Sequence, residues 1–495
     1  MKKVLSLAAF GLVLASVAAP QKLAVVSLND RVAILNQASK LGELTGVPMI
    51  GLGAVGALAA NPLAADFGAP RDGAVTTISL YGDPDVLKSV ADAEKFAETL
   101  HYAVAYPGAT DKTTNETWKV VSSLEGISGI DGKWAVVGDD AETVKLAVAD
   151  LAKTGTPVLK QGEVARASLT EPAIAVMIGL MDALAAEDPE MAAQMKVATA
   201  CYKQVEGVSF ALRVTEKGID LLCDLGCKPG SELDKMGTSR LTSSDPLAFA
   251  GKESLAACAT AAGCGTQDGL AQYEKALEIF KKRGLKLDFL SCTTKGRVMD
   301  VVLDVKALAD LIVNGEADRW VTALEDESLQ KDLEDLMEKT YASSAVAAGP
   351  EQAITFSIKG QTLSTTPSVR LAKALPEFKG KPVYSVGVVS IYSLLRKVVE
   401  ASLQALPPSA GASQEQLEMV RNLLQTLPAE GEGCTAMACW REGSSHSFIM
   451  RLTPDEVKGL SAVVKLGMTA LEGALSMQGA DGGAFGEELP DDDED

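Results

Sequence analysis

Val208-Ser209-Phe210-Ala211-Leu212-Arg213-Val214, then Glu216-Lys217-Gly218, then Ile219-Asp220-Leu221-Leu222-Cys223-Asp224-Leu225 is the stretch that decides the fold. Aliphatic residues alternate with polar ones on both sides of a short turn ending in glycine, which is the pattern of an antiparallel hairpin. Two later stretches carry the same signature: Leu287 to Cys292 and Val298 to Val305 flank Lys295-Gly296, and Cys434 to Trp440 and Ser447 to Leu452 flank Glu442-Gly443.

Outward from each hairpin, the preceding chain reads as a strand or extended piece followed by two helical stretches. Before the first lie a strand at Ala173 to Ile178 and helices to Tyr202; before the second, extended Pro246 to Phe249 and helices at Glu253 to Ala261 and Leu270 to Arg283. Before the third come a strand at Val383 to Val389 and two amphipathic helices. Their apolar faces carry Ile391, Leu394, Leu395, Val398 and Val399, then Leu417, Val420, Leu423, Leu424 and Leu427. Such faces need a sheet or each other to cover them. The expected fold class is therefore α+β: repeated strand-helix-helix-hairpin units, with antiparallel sheets covered by helices, in two halves at 20–235 and 244–477. The Ser/Thr-rich stretch Gly237 to Asp245 joins them.

The first half opens with a looser arrangement. Leu23 to Leu28, Val75 to Leu80, Tyr102 to Tyr106, Trp118 to Leu124 and Lys133 to Val137 read as strands, and Val32 to Leu44 as a helix. Asp139-Asp140 should cap a helix running to about Lys153, with carboxylates where the helix dipole favours them. Ala353 to Ile358 and Ser368 to Leu371 read as a further strand pair.

The termini speak to compartment. Met1-Lys2-Lys3, the apolar Val4 to Leu14 and the small residues Ala15-Ser16-Val17-Ala18 form a secretory signal peptide over residues 1–18. That predicts a periplasmic or secreted protein with no stable membrane span after cleavage. A second uncharged stretch, Val47 to Ala65, is broken by Pro48, Asn61 and Pro62 and reads as a buried small-residue helix. From 478 to 495 the composition is Gly-rich and acidic, ending Asp491-Asp492-Asp493-Glu494-Asp495, and predicts a disordered tail.

Composition excludes several functions. Lys and Arg number 46 against 66 Asp and Glu, a net charge of −20 that opposes nucleic acid as a partner. With His101 and His446 the only histidines, a Ser-His-Asp triad or a histidine zinc site has little to draw on. Both are expected at surface or edge positions. Gly51-Leu52-Gly53-Ala54-Val55-Gly56 matches the dinucleotide fingerprint but lacks its strand and ribose-binding acid, so no cofactor is expected. Ser328-Leu329-Gln330-Lys331 and Lys153-Thr154-Gly155 imitate elements of penicillin-recognising enzymes in the wrong order. No catalytic or metal-binding residues are assigned.

Cysteine carries the remaining signal. All eight residues lie beyond position 200, and in an exported chain an even set favours disulfides. If Cys258 and Cys264 lie on or just after a helix packed over the strand holding Cys292, then Cys292 should bridge to Cys264 or Cys258. Cys264 is preferred because Gly263 and Gly265 flank it. The resulting expectation is an exported, non-catalytic binding or scaffold protein of the bacterial cell envelope, acting on an unknown envelope protein or small molecule. The alternatives are an exported carboxylate-dependent hydrolase and a carrier or chaperone for apolar cargo.

Overall fold

The computed structural model describes residues 20–465 apart from internal stretches, chief among them 88–97, 109–117, 262–268, 337–353 and most of 406–432. The expected signal peptide, the acidic tail, Cys264 and the helix expected around Leu417 to Leu427 lie outside the described residues. No helix among the described residues is long and apolar enough to cross a membrane.

Helices and a large mixed sheet share the chain. Residues 21–227 supply β1 (Gln21–Leu28), β2 (Thr76–Gly82), β3 (His101–Tyr106), β4 (Val120–Leu124), β5 (Trp134–Gly138), β6 (Glu163–Leu169), β7 (Val205–Thr215) and β8 (Gly218–Cys227). Residues 254–452 supply β9 (Ser254–Thr260), β10 (Leu290–Lys295), β11 (Val298–Leu303), β12 (Ile354–Lys359), β13 (Ser385–Val389), β14 (Thr435–Glu442) and β15 (Ser445–Leu452). All join one 15-stranded sheet in the order β10-β11-β12-β9-β13-β14-β15-β8-β7-β6-β1-β2-β3-β5-β4. Every neighbouring pair is antiparallel except β11 with β12. The strands of the first set occupy one end of the sheet and those of the second the other, joined by β8 against β15.

The three hairpins form as β7–β8, β10–β11 and β14–β15. Gly218 has φ +124°, and a Cβ there would stand 1.9 Å from the Leu452 carbonyl oxygen, so this hairpin end can seat against β15 only with glycine.

What precedes the hairpins departs from the expected repeat. Ala173 to Ile178 is not a strand but part of a helix, Glu171–Glu187, because an unbroken apolar run fits a buried helix as well as a buried strand. Glu253 to Ala261 is not a helix: it contributes β9, where alanines suit a strand crowded between two neighbours. Gly387 on adjacent β13 shows the crowding, since a Cβ there would lie 3.2 Å from the Cys258 Cβ. Pro246 to Phe249 forms a turn rather than extended chain. Ser368 to Leu371 belongs to a helix, Pro367–Ala374, started by Pro367 and capped by the Thr366 hydroxyl, which accepts from Val369 N.

Five helices matter below: α1 (Arg31–Thr45), α2 (Ala141–Thr154), α3 (Glu171–Glu187), α4 (Pro367–Ala374) and α5 (Ile391–Ala405). Asp140 caps α2 as expected, accepting from Glu142 N and Thr143 N. The helix Met49–Ala59 is apolar all round but not buried, with Met49 66% and Val55 50% exposed.

The largest core lies on one face of the sheet, along a straight lateral row. Ala211, Leu222, Ile449, Ala438, Val386 and Ala259 stand side by side on β7, β8, β15, β14, β13 and β9. Leu247 and Ala250 after the linker, Ala374 of α4 and Leu375 just beyond it complete this core. On the opposite face Leu41 and Leu44 of α1 pack on Val214, Ile219 and Leu452, while Phe210, Leu212 and Leu221 remain exposed.

Charged rows flank the apolar one. Arg213, Asp220 and Arg451 stand abreast on β7, β8 and β15. Asp220 is fully buried and accepts from Arg451 Nε (2.6 Å) and Nη2 (2.8 Å) and from Arg213 Nε (2.8 Å). On the other flank Asp224 accepts from Ser447 Oγ (2.7 Å) and Arg166 Nη1 (3.0 Å). Burial pushes the Asp224 carboxyl up, but these two donors outweigh it and hold it below the usual carboxylate range.

Candidate functional site

A cleft of about 650 Å³ opens on the core face between the linker and α4. It lies within the roughly 300–1,000 Å³ of ordinary small-molecule sites. One wall is the linker, with Arg240, Leu241, Ser243, Ser244, Asp245 and Pro246. Leu241 N donates to the Val383 carbonyl at 2.9 Å, which fastens the linker beside the start of β13.

The other wall follows from the periodicity of α4. Pro367, Arg370 and Ala374, at helical spacing, turn to the sheet and are buried, leaving Ser368, Val369, Leu371 and Ala372 to line the cleft. The turn beyond α4 adds Phe378, Lys379, Gly380 and Lys381, with Phe378 packed on Trp440 at 4.8 Å between ring centroids. The floor is the core itself: Val386 and Ala438 face each other across the β13–β14 ladder and are 4% and 0% exposed.

The polar groups of the cleft engage one another. Ser368 Oγ donates to Asp245 Oδ1 at 2.6 Å, and Ser243 Oγ donates to the Asp245 carbonyl at 2.8 Å. Lys381 Nζ stands 5.3 Å from the Phe378 ring centroid. No histidine or cysteine occurs among the described lining residues.

Behind the cleft α4 is pinned by a buried cation. Arg370 is 1% exposed and donates through Nη2 to the Ser254 carbonyl (2.5 Å) and through Nη1 to Ser390 Oγ and the Leu255 carbonyl (3.5 Å). Ser390 Oγ donates in turn to the Gly433 carbonyl. Nearby Glu456, on the helix at 454–465, is fully buried and its Oε1 accepts from Ile391 N (2.7 Å) and Tyr392 N (3.0 Å), satisfying the first turn of α5. Burial raises the Glu456 carboxyl above its ordinary pKa of 4.5, although the two backbone donors and the Arg370 charge pull the other way.

A pH dependence follows. Stability from a group whose pKa is raised on folding is present below the ordinary value and lost as pH rises through the folded one. The unfolding free energy of the wild type minus that of Glu456→Gln should therefore fall as pH rises from 4.5 towards neutrality. Urea titrations at several pH values measure it, and a difference that rises with pH would mean the site favours the carboxylate.

The residues singled out from sequence are scattered. Cys258 lies in strand β9, not on a helix, paired with Phe356 and Gly387, and Cys292 lies in β10 opposite Val301. Strands β11 and β12 separate them, so three ladder spacings of about 4.8 Å put their backbones about 14 Å apart, against the ~7 Å limit for a disulfide. The helix expected over Cys292 is replaced by a strand three places along the sheet. Cys201, Cys223, Cys227 and Cys434 are free thiols, and burial pushes Cys434 up to about 12.

His101 opens β3, a strand inside the sheet, but is partly exposed as expected, its Nδ1 between Asp139 (3.1 Å) and Asp140 (3.0 Å). His446 is not: it sits 9% exposed in β15, edge-on to Tyr384, because the hairpin holding it is interior to the sheet. Gly51, Gly53 and Gly56 lie within the helix Met49–Ala59, away from any strand-to-helix turn. Ser328 is held by Asp326 and Arg283.

Sequence reasoning read Gly237 to Asp245 only as a junction between halves and assigned it no part in a site. Lys379-Gly380-Lys381-Pro382, two cations about a glycine, was the available signal for the opposite wall. No protein-family model matches the chain, and comparison with curated proteins and with solved structures finds no similar one.

Proposed function

We propose that this is an exported, non-catalytic binding protein of the bacterial cell envelope, periplasmic or secreted after removal of residues 1–18, whose cleft holds a small molecule with an apolar body. One observation carries the reading: over its buried floor the cleft presents accessible apolar side chains, Leu241, Val369, Leu371, Ala372 and Phe378, to whatever it holds. That favours a carrier of apolar cargo over a carboxylate-dependent hydrolase. Among the described lining residues Asp245 is the only carboxylate, and its Oδ1 is occupied by Ser368.

Filling the cleft from its exposed wall tests this without touching the floor. Val369 and Ala372 are exposed on α4, so Val369→Trp and Ala372→Trp should fold with unchanged melting temperature. Each is expected to weaken binding of a medium-chain alcohol such as decanol at least tenfold in isothermal titration calorimetry. Unchanged affinity in both variants would remove the cleft as the binding site.

A further inference from the structure

The charges lining the cleft run against the acidic balance of the chain. Acidic residues outnumber basic ones 66 to 46, and several partly buried cations elsewhere are spent on acids: Arg213 and Arg451 on Asp220, Arg166 on Glu163 and Asp224, Arg396 on Glu400. Arg240, Lys379 and Lys381 line the cleft, are exposed, and form no ion pair with any described residue. Three cations thus converge on an apolar cleft from both of its walls. Asp245, the one acid among the described lining residues, stands with Ser368 on one of its oxygens.

From this arrangement we infer that the ligand is a single-chain amphiphile with a monoanionic head, of the fatty-acid class. The inference rests on the binding reading above and names the substrate class of that cleft. The alkyl chain lies along Leu241, Val369, Leu371, Ala372 and Phe378, where it gains the stabilisation of any apolar surface removed from water. Its head stays at the mouth, where guanidinium and ammonium donors make charge-assisted hydrogen bonds to it. A chain of net charge −20 repels anions at long range, so a local cluster of cations is what an anionic ligand requires and what a cationic one is rejected by. Asp245 leaves the lining with a surplus of two positive charges, three cations against one acid, which suits one negative charge on the head better than a multiply charged one.

The probes are decanoate, decanol and decyltrimethylammonium, titrated into the full-length protein by calorimetry below their micelle concentrations. Decanoate should bind at least tenfold tighter than decanol, its advantage shrinking between 50 and 500 mM salt, and decyltrimethylammonium should bind more weakly than either. The triple variant Arg240→Gln/Lys379→Gln/Lys381→Gln alters only exposed positions and should keep its melting temperature. It should lose about tenfold for decanoate and nothing for decanol. Equal affinity for decanoate and decanol, or a triple variant that binds decanoate as well as the wild type, would overturn the anionic head while leaving the cleft as an apolar site. Decanoate binding that survives Val369→Trp and Ala372→Trp unchanged would instead sink the cleft reading on which the inference rests.

Discussion

Replacing Asp220 with alanine is expected to lower the unfolding free energy by about 3–5 kcal/mol, because it strands a buried guanidinium. Arg451 is 2% exposed, and its Nε and Nη2 both donate to Asp220. After the substitution it keeps the Ala374 carbonyl at 2.7 Å and Glu377 at 2.9 Å, but Glu377 is partly open to water and compensates weakly. Arg213 loses its partner as well. The loss falls at the β8–β15 ladder, the single pairing that joins the strands before residue 228 to those after 253. Urea unfolding with matched m-values measures it. The pair itself is replaceable: Asp220→Leu/Arg451→Met removes both charges together and should recover most of the loss. A double variant as unstable as Asp220→Ala would show that the cost lies in packing rather than in an uncompensated charge.

Arg370→Met is the second large effect, expected at about 3 kcal/mol. Methionine keeps much of the volume but leaves the Ser254 and Leu255 carbonyls and Ser390 Oγ without their buried donor. Each such group costs about 1–3 kcal/mol when unsatisfied, and Leu255 O is partly compensated by Ser390 N, which also donates to it. Since Arg370 pins α4 to the ends of β9 and β13, the substitution should also loosen the wall bearing Val369 and Leu371 and weaken decanol binding about tenfold. Chemical denaturation and calorimetry read the two consequences separately. A stability change below about 1 kcal/mol would mean that Pro367 and Ala374 hold the helix by apolar contact alone.

The hairpins were legible because two short apolar-rich runs with partial alternation flank a turn that carries glycine, as in Val208 to Leu225. Three neighbouring segments were not, each for its own reason. Ala173 to Ile178 is apolar at every position, so no period distinguishes strand from helix. Ser254 to Thr260 is rich in alanine, whose helix propensity was overridden by pairing on both sides with β12 and β13. Thr366-Pro367 is a helix start that four following residues were too few to reveal as amphipathic. The cleft was illegible altogether, since its walls come from residues 240–246 and 367–383 and its floor from Val386 and Ala438. The β13–β14 pairing, the linker's bond to Val383 and the Ser368–Asp245 hydrogen bond bring those together.

The pair that joins the sheet also bears on the order in which it is built. Asp220 and Arg451 are 231 positions apart, so a chain that emerges N-terminus first can form β8 well before β15 is there to cover it. During that interval it is an open edge, able to recruit the same strand of another copy. Antiparallel pairing of two β8 strands centred on Leu222, the register β15 adopts, would set Asp220 of one copy against Asp224 of the other. Like charges opposed on a ladder repel, and here they would do so on both sides of the centre. The acids that later receive Arg451 and Ser447 thus keep a waiting edge from closing on its own kind, and the cation on β15 marks the strand that is allowed to end the wait.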